Sequence, residues 1–377
     1  MKITGYRTER FHTDRGRLTG DANNPDGQPG EGTGSLLFVE TDAGITGIVP
    51  GGTTDALFSV VEGKDPRGVT GLWKELNNHV FKGSQYCSIA SLDIALWDIK
   101  AKANDEPLWR TFGASEGRVK AYASGLDMPL SDDELASFYT SCADLGMDGG
   151  KLKVGLDQKA DLRRLAIMRD VLANAKDDPY LMIDANEFWS PKQAIRKVSE
   201  MEDQFDIFWV EEPARRWDYA GLRQVSRGVK AAVATGENLH HIGDYYSLIA
   251  NDAVDIVQFG SSGCAGFTGA LYLAGMAHGF EKPVSVIGGP GHFAAHLAAS
   301  LPNHNMMEVK DLGTPPAWST STKIEDGWIV LGEEPGLGIT VHEEHLGITK
   351  PVTSRGAAPR REGAGLYQNP PDKPIGA

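Results

Sequence analysis

Apolar residues change rhythm along this chain. From about residue 118 to 310, short apolar runs that each end in a polar or small residue alternate with longer amphipathic stretches. The runs are KLKVG (151–155), YLMIDAN (180–186), IFWVEEP (207–213), AAVATGEN (231–238), DIVQFG (255–260), PVSVIGG (283–289) and NMMEV (305–309). Between them lie helical patterns such as ADLRRLAIMRDVLANA, SPKQAIRKVSEMED and GFTGALYLAGMAHGF. Strand, helix, strand at a repeat of about 20–31 residues predicts parallel βα units. These form either a doubly wound open sheet or a closed barrel. No GxGxxG follows any of the strands and no GxxxxGK[ST] occurs, so a nucleotide-binding open sheet is disfavoured and the barrel is expected.

The first 60 residues have a different texture. MKITGYRTERF predicts a strand, and SLLFVETDAGITGIVP a hairpin turning at Asp42-Ala43-Gly44. Between them TGDANNPDGQPGEGTG is too polar to pack, and is either a disordered connection or a lid over a site. Ile89, Leu92, Leu96 and Ile99 recur at helical spacing, so YCSIASLDIALWDIKAKAN is expected to be an amphipathic helix. The segment from 349 onward, rich in proline, glycine and arginine, is expected to be irregular, either loose or draped over a neighbouring subunit.

Composition narrows the function. A chain of 377 residues with 41% hydrophobic and 23% charged residues is ordinary for a globular protein of one large domain, or a large and a small one. The net charge of −14 argues against nucleic acid and against an anionic membrane surface. Cys87, Cys142 and Cys264 are too widely spaced for a disulfide framework or a zinc site. MKITGYRTERFHTDRG lacks the apolar core of a secretory signal, and no apolar run reaches the roughly 18 residues of a membrane span. A soluble, cytoplasmic protein is expected.

In parallel βα folds the C-terminal strand ends converge on one mouth. The ends of successive runs carry Lys151 and Lys153, then Asp184, Glu211 and Glu237, and later Glu308. Strand ends face water, so one acid there means little. Three at successive tips would repel unless a cation sat among them, and all-oxygen ligands with open positions select Mg²⁺ over zinc. Lys151 and Lys153, two apart in a strand, point to the same side. A lysine acting as a base must be neutral, and the neighbouring ammonium and the cation are both expected to lower its pKa from about 10.4.

The stretches KLKVG, MIDANEFW, WVEEP, TGENL and AHLAASLPNHNMMEV, in this order, resemble the mandelate racemase/muconate lactonizing enzyme branch of the enolase superfamily. SLDIALWDIKAKANDEPLWRTFGA is similar to that family's helix joining cap to barrel. The resemblance implies a modified (β/α)₇β barrel with an α+β capping domain built from both chain ends. Residues 1–117 would form the N-terminal cap, 118–320 the barrel, and 321–377 the segment completing the cap. It also implies that Asp184, Glu211 and Glu237 bind Mg²⁺, that Lys153 is the base with Lys151 beside it, that Glu308 hydrogen-bonds the substrate carboxylate, and that the protein is a symmetric homo-oligomer.

The departures matter as much. Relatives with a second base carry an Asp–His pair or a lysine at positions that are Gly260 and Gly288 here. His292 either swings in from a longer loop or packs against the helix it begins. His240 and His241 either touch substrate or start a helix, and Arg215 and Arg216 either bind substrate oxygens or lie on the surface. Asn186 and Asn238 follow ligand positions and are further substrate-binding candidates. A racemase or epimerase needs an acid on the opposite face, whereas loss of a β-hydroxyl can use one base and one acid on one side. The reading is therefore an acid-sugar dehydratase giving a 2-keto-3-deoxy acid. The alternatives are an epimerase or cycloisomerase, and a degenerate sugar-acid-binding protein. Specificity among acid sugars is expected from the 20s loop and the 50–75 segment.

Overall fold

The computed structural model describes residues 1–79, 86–313 and 315–349. The irregular segment expected at the C-terminus falls almost wholly outside them. β1 (Ile3–Thr13), β2 (Gly32–Thr41) and β3 (Thr46–Pro50) form an antiparallel sheet, with Gly44 at φ 74° in the β2–β3 turn. Helices α1 (Asp55–Val61), α2 (Val69–Asn78), α3 (Tyr86–Ala103) and α4 (Leu108–Thr111) complete the N-terminal layer.

The alternation that follows runs β4 (Arg118–Ser124), α5 (Asp132–Ala143), β5 (Gly149–Lys153), α6 (Gln158–Leu172), β6 (Tyr180–Asp184), α7 (Pro191–Glu202) and β7 (Ile207–Glu211). It continues through α8 (Tyr219–Gly228), β8 (Ala232–Thr235), α9 (Ile242–Ala250), β9 (Ile256–Phe259), α10 (Phe267–Gly279), β10 (Val284–Val286), α11 (Ala295–Ala298) and β11 (Met307–Val309). Strands β4 to β10 pair in parallel in sequence order, and β11 pairs in parallel with β4. The circle closes where Asn305 N donates to Val284 O at 2.8 Å. This is the modified (β/α)₇β barrel. Polar residues at the strand-to-helix junctions start its helices: Ser131 and Glu134 make a capping box for α5, Ser190 and Gln193 one for α7, and Asp157 caps α6.

Residues two apart on a strand share the barrel interior. A lower layer of Tyr122, Met182, Trp209, Ala234, Ile256 and Met306 forms a buried apolar cluster. Two residues further along all but the Ala234 strand stand Ser124, Asp184, Glu211, Gln258 and Glu308, all buried. The barrel thus has an apolar floor and a charged upper layer, and the upper layer is the mouth.

The amphipathic helix expected over 86–104 is instead buried on nearly every side. The cap sheet covers one face, so closely that a Cβ on Gly47 would meet Ala95 O at 2.4 Å. Its polar residues bond to neighbours rather than water: Asp93 accepts from Thr268 N and Oγ1, and Asp98 Oδ2 from Ile48 N. Beyond β11 come short strands β12 (Trp318–Ser319), β13 (Lys323–Glu325), β14 (Trp328–Val330) and β15 (Thr340–Val341). β14 pairs antiparallel with β4, and the chain then returns to the cap, where Leu337 N donates to Asp98 and Gly347 N to Arg10 O. No helix among the described residues is long and apolar enough to cross a membrane.

Candidate active site

Strand register places the charged groups side by side. β5 pairs with β6 so that Lys153 faces Asp184, and β6 with β7 so that Asp184 faces Glu211. Glu237 lies past the end of β8 rather than on it. Gly236 turns the chain at φ 131°, where a Cβ would strike Gln258 O at 2.4 Å. Carboxylate oxygens of Asp184, Glu211 and Glu237 all come within 4.8 Å of one another.

Lys151 and Lys153 are buried against these acids. Lys151 Nζ lies 2.5 Å from Glu211 Oε1, 3.1 Å from Glu308 Oε1 and 3.5 Å from Asp184 Oδ2. Lys153 Nζ donates to Asp184 Oδ2 and, at 2.9 Å, to Asn186 Oδ1. The lowered lysine pKa expected from the sequence is reversed in the protein alone. Burial lowers both values, but Glu211, Glu308 and Asp184 together outweigh it at Lys151, and Asp184 with Glu237 and Glu211 does so at Lys153, so both end above the usual lysine range.

The acids respond unequally. Burial pushes Glu211 up to about 8, with Lys151 only partly opposing it. Burial acts upward on Asp184 and Glu308 too, but nearby lysines more than offset it: Lys153 and Lys151 for Asp184, Lys151 and Lys310 for Glu308. Both are therefore held ionised. Glu308 accepts charge from Lys151 and from Lys310, 3.0 Å away, so it can donate to a substrate carboxylate only after gaining a proton. Asp184 and Glu237 beside it add to the rise that burial begins, an excess of negative charge that Lys151 does not fully offset. A hard divalent cation held by Asp184, Glu211 and Glu237 fits that excess and the all-oxygen donor set.

The second tier was not singled out from the sequence. Glu212, buried at φ 44°, accepts from Asn238 Nδ2 at 2.6 Å and Asn186 Nδ2 at 3.5 Å. Gln258 Nε2 donates to Glu211 Oε2 at 2.6 Å. Glu187, also buried, pairs with Arg216 Nε at 2.5 Å, and Arg216 donates to Asn238 O. The doubled acid of WVEEP and the strand parity of Gln258 with Ile256 were the available signals. Asn23 Nδ2, from the glycine-rich loop, donates to Asn186 O at 2.9 Å, so that loop reaches the site.

The other candidates lie in varied places. Asn186 and Asn238 are part of the Glu212 network. His240 is exposed, and His241 is the N-cap of α9, accepting from Gly243 N at 3.0 Å. Arg215 is half-buried, with its guanidinium 5.7 Å from the Trp217 ring. His292 is buried in a turn before α11; burial lowers its pKa and the charge opposing that is Asp311, not a barrel carboxylate. Across the mouth, a Cβ on Gly260 would meet only Ile287 Cβ at 4.0 Å, whereas one on Gly288 would overlap Glu308 O at 1.8 Å.

Comparison with known proteins decides the family. Residues 134–345 match the enolase C-terminal domain-like family, and 31–113 the mandelate racemase/muconate lactonizing enzyme N-terminal domain. The chain belongs to the mandelate racemase/muconate lactonizing enzyme branch of the enolase superfamily. It is 30% identical to a 3,6-anhydro-α-L-galactonate cycloisomerase of Streptomyces coelicolor over 73% of this chain and 75% of that one. It is 33% identical to the L-talarate/galactarate dehydratase of Salmonella typhimurium over 68% of this chain, the match spanning 64% of that enzyme. A Streptomyces coelicolor racemase, solved with bound magnesium, superposes with a TM-score of 0.81 at 26% identity, covering 92% of this chain and 99% of that one. Members of this superfamily are Mg²⁺-using enzymes, and the relatives span cycloisomerase, dehydratase and racemase chemistry.

Proposed function

We propose that the protein is a Mg²⁺-dependent acid-sugar dehydratase, removing the α-proton of a sugar carboxylate and eliminating a β-hydroxyl to give a 2-keto-3-deoxy acid. The observation that carries this reading is the one-sided distribution of proton carriers. Lys151 and Lys153 stand on β5, while across the mouth Gly260 carries no side chain and Gly288 has no room for one.

Asp184, Glu211 and Glu237 would hold Mg²⁺, which would supply positive charge against the negative charge that builds on the substrate carboxylate and would weaken the carboxylate field that keeps the lysines protonated. Lys153 takes the C2 proton onto Nζ. The C2 electron pair forms the C2–C3 double bond as the C3–O bond breaks. Lys151 gives the departing hydroxyl its proton, so water leaves. The enol then tautomerises to the 2-keto acid. Glu308 and Glu211 aim Lys151 from either side. An arriving substrate carboxylate raises the Glu308 pKa, which allows that residue to donate to it. Asn186 holds Lys153 in line.

The test is a screen of mono- and diacid sugars with Mg²⁺, scored for 2-keto acid. Turnover to an epimer or a lactone-derived isomer, with no 2-keto acid from any substrate, overturns the dehydratase reading. The cycloisomerase reading has one specific observation in its favour, the S. coelicolor cycloisomerase at 30% identity. Binding of sugar acids without any turnover would instead mark a degenerate member.

A further inference from the structure

We propose that His12, Asp14 and Glu31 form a second divalent-cation site, in the cap, that takes a first-row transition ion such as Co²⁺, Zn²⁺ or Mn²⁺. The three come from the two ends of the loop between β1 and β2. Pairing of His12 with Thr33 and of Thr13 with Gly32 brings those ends together. One ligand atom from each residue lies within 4.8 Å of the other two.

A second observation concerns the imidazole. Both ring nitrogens of His12 are shut off from solvent and neither has a hydrogen-bond partner, although an imidazole always offers two polar nitrogens. The side chain is only 12% exposed. Nε2 stands 3.8 Å from Glu31 Oε1, too far for a hydrogen bond but suited to two ligands of one ion. The neighbouring cation, Arg15, is already paired with Asp311 Oδ2 at 3.0 Å. An imidazole with two carboxylates favours first-row transition ions over Mg²⁺, whereas the all-oxygen barrel set suits Mg²⁺. The bound ion would clasp the base of the loop whose Asn23 reaches Asn186 O.

The experiment is equilibrium dialysis of the full chain against Co²⁺ in excess Mg²⁺, with metal analysis of the retained protein. The wild type and Asp184→Asn are each expected to retain about one Co²⁺ per chain, and His12→Ala and Glu31→Gln none. Glu31 is exposed, so Glu31→Gln tests the site even where His12→Ala fails to fold. Retention that survives both cap variants, that is lost in Asp184→Asn instead, or that is absent from the wild type overturns the proposal.

Discussion

Lys151 and Glu211 meet at 2.5 Å with almost no solvent around either, yet Glu211 is still pushed up to about 8. Lys153 also pairs with Asp184 and Lys310 with Glu308, but Glu211 has only a share of Lys151, which does not offset its burial. An ion entering between Asp184, Glu211 and Glu237 must therefore displace the Glu211 proton. A raised carboxyl keeps that proton below its folded pKa, so Mg²⁺ affinity is expected to rise with pH, roughly tenfold per unit up to about 8, and then to flatten. Calorimetric titrations at successive pH values check this. An affinity unchanged across that window would mean Glu211 is ionised without metal. Asp184→Asn, Glu211→Gln and Glu237→Gln should each abolish turnover and Mg²⁺ binding while leaving the fold intact.

The lysines should separate by function. Lys153→Ala is expected to remove both product formation and exchange of the α-hydrogen with D₂O, because the proposed mechanism places the α-proton on its Nζ. Exchange that persists in this variant would name another base, with His292 the first to test. Lys151→Met removes the ammonium common to three buried acids. Without metal it is expected to lower stability by about 3–5 kcal/mol, and Mg²⁺ should restore more stability to the variant than it adds to the wild type. Denaturation of both proteins with and without Mg²⁺ measures the difference.

Two histidines away from the site, His296 buried and His304 half-buried, predict an acid limit to stability. Burial pushes His296 and His304 down to about 3. His296 Nδ1 accepts from Trp109 N at 3.2 Å, joining α11 to α4. A histidine whose folded pKa is depressed costs nothing above its unfolded value near 6.5. Below that value the unfolded chain takes the proton first, so stability falls by about 1.4 kcal/mol per pH unit for each group. His296→Gln should lower stability at pH 7 but flatten its decline between about 6.5 and 4. A decline as steep as that of the wild type would show that His296 is protonated in the folded protein.

What the sequence made legible follows from strand chemistry. Asp184, Glu211 and the two lysines end short apolar runs, and period-two geometry with parallel register is enough to bring them together. Glu212, Gln258 and Glu187 escaped because nothing local distinguishes a buried acid or amide from a solvated one at a strand end. Their partners, Asn238, Glu211 and Arg216, come from other βα units. The solvent-facing side expected for α3 failed for the converse reason: Asp93 and Asp98 look exposed in sequence, but Thr268, Ile48 and Leu337 satisfy them from distant segments. The direction of the lysine shifts depended on a balance between burial and three carboxylates that no spacing reveals.

The two glycines across the mouth yield the sharpest prediction. A base reaches only the face of the substrate beside it, and the carboxylate is held in one orientation. Lys153 comes from β5, whereas Gly260 follows β9 and Gly288 follows β10. Of two C2 epimers, only the one whose hydrogen points toward Lys153 should exchange in D₂O, and no epimer should accumulate. The glycines themselves should differ when replaced. A Cβ at 260 would meet nothing nearer than Ile287 Cβ at 4.0 Å, so Gly260→Lys should fold and gain exchange of the second epimer. A Cβ at 288 would overlap the Glu308 carbonyl at 1.8 Å, so Gly288→His must displace β11 and should lose stability and turnover together. Proton NMR time courses on both epimers, with wild type, Gly260→Lys and His292→Asn, separate the possibilities. Exchange of both epimers by the wild type would reveal a second base. Its loss in His292→Asn would identify that base and move the chemistry from dehydration toward epimerisation.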